Sequence, residues 1–365
     1  MTPAPKGEGD LIISLLSRAE FQAPLATARN YVSNVWRALF SLAGRYRPIP
    51  PAEKAIALAD TIPFRGDAPL QIKEGVREQG RMAFRIPRPV METAENLVVT
   101  PMGGGWKGGC FYERYSACRP GLRMLLERHA PMADHPAGYV VQSAHKDTYG
   151  DWVSEYLCAV ARAYPLDAPL FLPAWFADRP YVARDLKARG VDHIFVDKPM
   201  RIKQARILRQ QKYFVHFPSN EIDTLRTFFG HEPAAPAPGG IVYLSRKHEV
   251  SEVANRVYPN EVIETIVEAR GGRIIRTAGA PQEEYALAAA DAETVIFDHG
   301  SAIYNSLRWR PKRTIEIISD AWWNNAFLMF ADAMGVKDRT IIRGDLGDDH
   351  VARLLHETLD RPVET

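Results

Sequence analysis

The sequence predicts an α/β protein built from two doubly wound units, and three observations carry that prediction. From Gly138 onward, short apolar runs alternate with helix-length amphipathic stretches. Runs such as "GIVYLS" and "VIFD" are apolar at consecutive positions, as expected of parallel strands covered on both faces. The alternation is interrupted once, by "GHEPAAPAPGG" (230–240), whose three prolines and double glycine make it the best linker in the chain. At 365 residues the chain has the length for two domains of ordinary size. The expected units are an N-terminal helical, basic segment (1–60), a first α/β unit (61–232) and a second (239–365).

Taken in order, the first ten residues read as a disordered lead. Residues 11–46 are helix-compatible in two pieces divided near Pro24. Between Leu11 and Pro48, Arg18, Arg29, Arg37, Arg45 and Arg47 stand against Glu20 alone, and Val32, Val35, Trp36, Leu39 and Phe40 recur at helical spacing. That pattern fits a helix packed on a domain; it also fits a basic amphipathic surface lying peripherally on an anionic membrane. "RPIPPAEKA" is a break. Alternation between Arg81 and Val99 suggests short strands with turns. "MGGGWKGG" (102–109) matches neither the dinucleotide nor the P-loop spacing and reads as a flexible turn, or else as a substrate-facing loop.

"GYVVQS" then reads as a strand, "DTYGDWVSEYLCAVARAY" as a helix, "APLFLPA" as a strand, "RPYVARDLKARG" as a helix and "VDHIFVD" as a strand, with "KYFVHFPS" closing the series. After the linker come "GIVYLSR" (strand), "PNEVIETIVEARGG" (helix), "RIIRTAG" (strand), "PQEEYALAAADA" (helix), "ETVIFDHG" (strand), "SAIYNSLRW" (helix) and "RTIEII" (strand), and the helix "DDHVARLLHETLD" ends the fold. Ligands of such open sheets bind at the carboxyl ends of the strands, so a cleft between the two units is where to look.

Composition narrows the function. A net charge of +2 gives no global field to gather phosphates, which argues against a nucleic-acid partner. Cys110, Cys118 and Cys158 fit neither a disulfide framework nor a zinc site. There is no signal-peptide layout and no apolar run of roughly 18 residues, so a cytoplasmic protein is expected.

The second unit concentrates polar groups at three strand ends. "VYLSR" delivers Ser245 and Arg246, "VIFDHG" delivers Asp298, His299, Gly300 and Ser301, and "TIEII" carries Glu316. A helix starting near Ser301 offers unpaired N–H groups and a positive dipole end, Gly300 admits an anion close to the backbone, and Ser301 adds a hydroxyl. Arg246 brings a fork of donors suited to phosphate oxygens, His299 one more donor, and Glu316 an acceptor for a ribose diol. Plainer uses remain open: Ser301 as an N-cap, His299 as a structural histidine, Arg246 in a solvated cluster with Lys247, His248 and Glu249, and Glu316 on a surface-facing edge. "DHGSA" lacks the G-x-S-x-G elbow of a serine hydrolase, and "ADAE" is too weak for a metal pair.

As a set, "VYLSR" (242–246), the Asn260–Glu261 pair opening a helix, "DHGSAIYN" (298–305) and Glu316 in the following strand resemble glycosyltransferase family 61. Upstream, "YGDWVSE" (149–155) stands where that family carries a histidine-containing helix start, with Asp151 at the histidine position. The resemblance implies a GT-B architecture, a nucleotide-sugar donor held by the C-terminal unit, and inverting, metal-independent transfer without a cofactor. It further implies a glycan or lipid-linked acceptor in capsular or other surface polysaccharide synthesis.

On that basis the donor site comprises Ser245, Arg246, Asn260, Glu261, His299, Gly300, Ser301, Asn305 and Glu316. Asp151 is the leading candidate for the general base, with Glu155 and His145 behind it, although Asp151 could equally cap its helix. Two alternatives stand beside this reading: a non-catalytic nucleotide-sugar-binding protein of a polysaccharide assembly, and a GT-B-like transferase of another group such as pyruvyl.

Overall fold

The computed structural model describes residues 46–47, 64–67, 76–78, 81–83, 90–101, 103, 105–107, 110–112, 132–142, 148–209, 219–230, 239–247, 258–280, 284–285, 288, 292–319 and 326–364. The stretches expected as a disordered lead and as two basic helices, up to residue 45, most of the "RPIPPAEKA" break and of "KYFVHFPS", residues 231–238 of the linker and most of "PQEEYALAAADA" lie outside them.

Among the described residues the protein is a mixed α/β structure with two large sheets. Its strands are β1 (Tyr46–Arg47), β2 (Arg65–Gly66), β3 (Val76–Glu78), β4 (Arg81–Ala83), β5 (Val90–Val99), β6 (Gly105–Lys107), β7 (Cys110–Tyr112), β8 (Ala133–Gln142), β9 (Leu170–Pro173), β10 (His193–Val196), β11 (Met200–Arg209), β12 (Ile241–Ser245), β13 (Arg273–Arg276), β14 (Thr294–Asp298), β15 (Arg313–Ile318) and β16 (Asp338–Arg343). The helices are α1 (Tyr149–Asp151), α2 (Cys158–Ala163), α3 (Pro180–Lys187), α4 (Ser219–Phe229), α5 (Asn260–Ala269), α6 (Ala326–Ala333) and α7 (Asp348–Asp360).

The first sheet runs β1-β7-β6-β5-β11-β8-β9-β10. It is parallel across β11, β8, β9 and β10, but β5 pairs antiparallel with β11, and β6 and β7 continue antiparallel from there. The expectation of a doubly wound parallel sheet therefore holds for only part of this half. The glycine-rich stretch expected to be a flexible turn supplies β6, whose Trp106 is buried against the sheet. β5 is one ten-residue strand rather than a set of short ones. β11 reads as polar in the sequence because Arg201, Lys203, Gln204 and Arg206 punctuate it. It is nonetheless a central strand, with Ile202, Ala205 and Ile207 in the core and Arg206 reaching out to Asp167.

The second sheet is parallel throughout, in the order β13-β12-β14-β15-β16-β2. From β12 onward this is a 2-1-3-4-5 arrangement, whose direction of winding reverses between β12 and β14. β16 escapes a hydrophobicity pattern because it opens on Asp338 and Arg339. Both are buried in ion pairs, Arg313 Nε to Asp338 Oδ2 at 2.7 Å and Arg339 to Asp332. Arg313 Nη2 also donates to the carbonyls of Arg361 and Pro362, at 2.8 and 3.0 Å, which ties the C-terminal tail to the sheet. The edge is completed from far upstream, since β2 pairs with β16 and Asp67 accepts from the Arg343 N–H at 2.9 Å.

Between α1 and α2 the helix continues as a π-helical stretch, Trp152–Leu157, and every residue from Trp152 to Ala161 is buried. A helix buried on all sides needs cover on all sides. One cluster provides it, joining Tyr139, Val141 and Leu172 of the first sheet through Trp152 and Tyr156 to Val242, Leu244, Val295 and Phe297 of the second. The helix predicted over this stretch thus forms, inside a core shared by both sheets.

Asp338→Ala strips the buried Arg313 of its partner and is expected to lower the unfolding free energy by about 3–5 kcal/mol. The double replacement Arg313→Met/Asp338→Leu should recover most of that loss in urea denaturation.

Candidate active site

The carboxyl ends of β12 and β14 flank the reversal point of the second sheet, and one carboxyl group joins them. Asp298, fully buried, accepts from the Arg246 backbone N–H at 2.8 Å, the Tyr243 hydroxyl at 2.8 Å and the Asn260 amide at 2.7 Å. Asn260 also donates to the Tyr243 hydroxyl at 2.7 Å. Burial pushes the Asp298 carboxyl up to about 7, against the pull of those hydrogen bonds and of the Arg246 charge.

With its backbone fixed, Arg246 lays its guanidinium over the next turn. Nη1 donates to the His299 carbonyl at 2.9 Å, and a Cβ built on Gly300 would stand 2.6 Å from that nitrogen. Any larger residue here would push the guanidinium off the turn. Gly300 is also the N-cap of a 3-10 helix, Ser301–Arg308, in place of the α-helix expected there, and no side chain caps its leading N–H groups. Ser301 is therefore inside the helix rather than its cap.

His299 points inward. The residue is 1% exposed, its Nδ1 lies 2.5 Å from Glu316 Oε1, its ring meets Phe327 edge-on at 4.8 Å, and Nε2 has no hydrogen-bond partner among the described residues. Glu316, expected on a ribose or on a surface edge, is instead buried in a central strand and bonded to this histidine. A carboxylate buried among isoleucines needs a polar partner, and His299 is that partner.

Ser245 donates to Glu264 at 3.0 Å and accepts from the Lys247 backbone N–H at 3.2 Å, and Glu264 also takes Lys247 and Arg276. Burial raises the Glu264 pKa, but these partners outweigh it and the net shift is downward. Glu261 is a surface residue paired with Lys247 at 2.9 Å.

Opposite Ser301 stands the start of α1. Thr148 caps it and Asp151 closes a capping box, its carboxylate accepting from the Thr148 hydroxyl at 2.7 Å. A Cβ on Gly150 would sit 3.0 Å from that of Ser301, so the two helix starts nearly touch. Tyr149 donates to Asn305 Oδ1 at 3.0 Å across this contact; burial, then the Asp185 charge, raise its pKa and keep the phenol protonated.

A cavity of about 800 Å³ opens between these elements. It is lined by Arg246, Gly300, Ser301, Ala302 and Asn305, by Thr277, Gly279, Ala280 and Tyr285 from beyond β13, and by Tyr149, Arg179, Pro180, Tyr181 and Arg184 from α1 and α3. Its size suits a drug- or nucleotide-sized ligand. Three arginines and no carboxylate are among the described residues that line it.

Of the predicted donor residues, Arg246, Gly300, Ser301 and Asn305 meet at the cavity. Ser245, Asn260, His299 and Glu316 lie beneath it, and Glu261 faces solvent. Of the base candidates, Asp151 and Glu155 do not line the cavity, and His145 lies outside the described residues. Among the described residues no group of three or more histidine, cysteine, aspartate or glutamate side chains is placed to hold a metal ion.

Residues 149–315 match the family model described as Glycosyltransferase 61. This stretch is a glycosyltransferase family 61 domain. It begins at the first residue of α1 and ends in β15, so it contains every wall of the cavity. No curated protein matches the chain. Sequence reasoning missed Arg179, Tyr181 and Arg184 of the glycosyltransferase domain, although they open the helix that follows β9, where a parallel strand delivers its next turn to the ligand side.

Because Asp298 titrates near 7 in the fold against a usual 3.8, the native carboxyl holds more protons than the unfolded chain between those values. Its contribution to stability is full below about pH 4 and is lost as pH rises through about 7. Asp298→Asn is expected to flatten the stability–pH profile across that window in chemical denaturation.

Proposed function

We propose that this glycosyltransferase is an inverting, metal-independent enzyme of GT-B type. It moves a sugar from a nucleotide-sugar donor to a hydroxyl of a glycan or lipid-linked acceptor in surface-glycan synthesis, in the cytoplasm or against the inner face of the membrane. The observation that carries the reading is the meeting of Arg246, Gly300 and the uncapped start at Ser301 in a basic cavity, at the reversal point of a parallel sheet. In this reading the donor diphosphate lies on Ser301 and its neighbouring N–H groups, with Arg246 alongside. Negative charge grows on the leaving diphosphate as the glycosidic bond breaks, and donors already fixed in place lower that barrier. Asp298 and the His299–Glu316 pair position these groups without touching the ligand.

A second reading, a nucleotide-sugar-binding protein without turnover, is favoured by the engagement of Asp151 in the α1 capping box. A panel of nucleotide sugars separates the two. A transferase releases free nucleoside diphosphate when given acceptor; a binder is only stabilised thermally, by about 2.7 kcal/mol at a hundredfold excess over Kd.

Arg246→Ala is expected to weaken nucleoside diphosphate binding by roughly 10–100-fold, the worth of a charge-assisted contact. Gly300→Val should do the same by displacing the guanidinium, since its Cβ falls 2.6 Å from Nη1. Titration calorimetry measures both, and unchanged affinity in the two variants removes the diphosphate from this corner.

A further inference from the structure

Besides Arg246, the cavity is lined by a second guanidinium, Arg184 of α3, whose setting is built by a buried carboxylate. Arg184 Nε and Nη2 both donate to Asp185 Oδ1, at 3.0 and 2.8 Å. The other oxygen of Asp185 accepts the indole N–H of the fully buried Trp152 at 3.0 Å, and Arg308 Nη2 stands 3.8 Å from Oδ1. Asp185 is only 3% exposed. Desolvating a carboxylate costs several kcal/mol unless it is well partnered, so a buried one whose effect is to hold a cavity-lining arginine still is a strong constraint. It leaves the Arg184 side chain 38% exposed, its Nε–Nη2 edge held on Asp185 and its Nη1 end in a fixed orientation for a further acceptor.

Beside Arg184, Tyr149 and Tyr181 line the same cavity, with ring centroids 5.3 Å apart and planes at 76°. The Asn305 bond fixes the Tyr149 ring in turn. Rigid aromatic surface next to a fixed cation suits a ligand with an apolar ring face and an anionic substituent.

We propose that this part of the cavity binds an anionic saccharide, a sugar bearing a carboxylate or phosphate, with its charge on Arg184 and its ring against Tyr149 and Tyr181. The proposal rests on the donor-site reading only in leaving Arg246 and Ser301 to the diphosphate.

The test is calorimetry with glucuronate, glucose 1-phosphate and neutral glucose, each titrated into protein saturated with uridine or guanosine diphosphate, with UDP-glucuronate and UDP-glucose compared in parallel. Both anionic sugars, or UDP-glucuronate over UDP-glucose, are expected to bind at least about tenfold tighter than the neutral partner. The first outcome marks the charge as the acceptor's and the second as the donor sugar's. Arg184→Gln should abolish the preference while leaving nucleoside diphosphate affinity within about twofold. Arg184→Lys keeps a cation beside Asp185, guarding against simple unfolding, and should still lose most of the preference because it lacks the fork.

Equal binding of charged and neutral sugars, or a preference untouched in both variants, overturns the proposal. Nucleotide binding that survives Arg246→Ala while the Arg184 variants lose the anionic sugar would instead sink the donor-site reading and leave this one standing.

Discussion

Asp298 brings a fully buried carboxyl group to the end of β14 and gathers three donors there from the end of β12 and a helix start. An unpartnered carboxyl at that depth would cost several kcal/mol, so the donors must come to it. Tyr243 and the Arg246 N–H are supplied by β12, and Asn260 by the first residue of α5. The direction in which Arg246 leaves the sheet, its rest over Gly300 and the shape of the corner all follow from that gathering. The His299–Glu316 pair repeats the device one strand over, holding the turn between β14 and the 3-10 helix from below.

The other half of the site depends on packing more than on polar bonding. The helix from Tyr149 to Ala163 is wrapped by both sheets, so its start cannot drift relative to Ser301 without opening a shared core. π-helical turns are rare and recur at functional sites, and here one lies just past the capping box, with Glu155 buried within it. The core thus holds Tyr149 and, through the Trp152–Asp185 bond, Arg184 in fixed relation to the corner.

Parallel alternation was legible in the second half because its strands are apolar on both faces, and the glycosyltransferase motifs sit at their carboxyl ends. β11 and β16 were not, since each carries arginines that pair with acids outside the strand: Arg206 with Asp167, and Arg339 with Asp332. Pattern reading treats such residues as surface. The same blind spot explains Glu316, whose isoleucine neighbours correctly signalled burial but not the histidine that makes burial tolerable. Ser245 and Asn260 stand at the right strand and helix ends, yet side-chain direction there is set by Glu264 and Asp298, which no spacing rule specifies. Arg179, Arg184 and Tyr181 were overlooked because a charged helix start reads as solvated until the strand before it is seen to end in a cavity.

One edge of the second sheet belongs, by sequence, to the opposite end of the chain. Arg65 and Gly66 cover Thr340 and Ile341, and Asp67 reaches the Arg343 amide and His350, all of them hundreds of positions away. A fragment starting at the proline-rich linker would therefore carry a bare row of amides and carbonyls along its last strand. Such a surface recruits another chain to finish its ladder, so the fragment would self-associate rather than stand in for the second sheet as it is built in the whole protein.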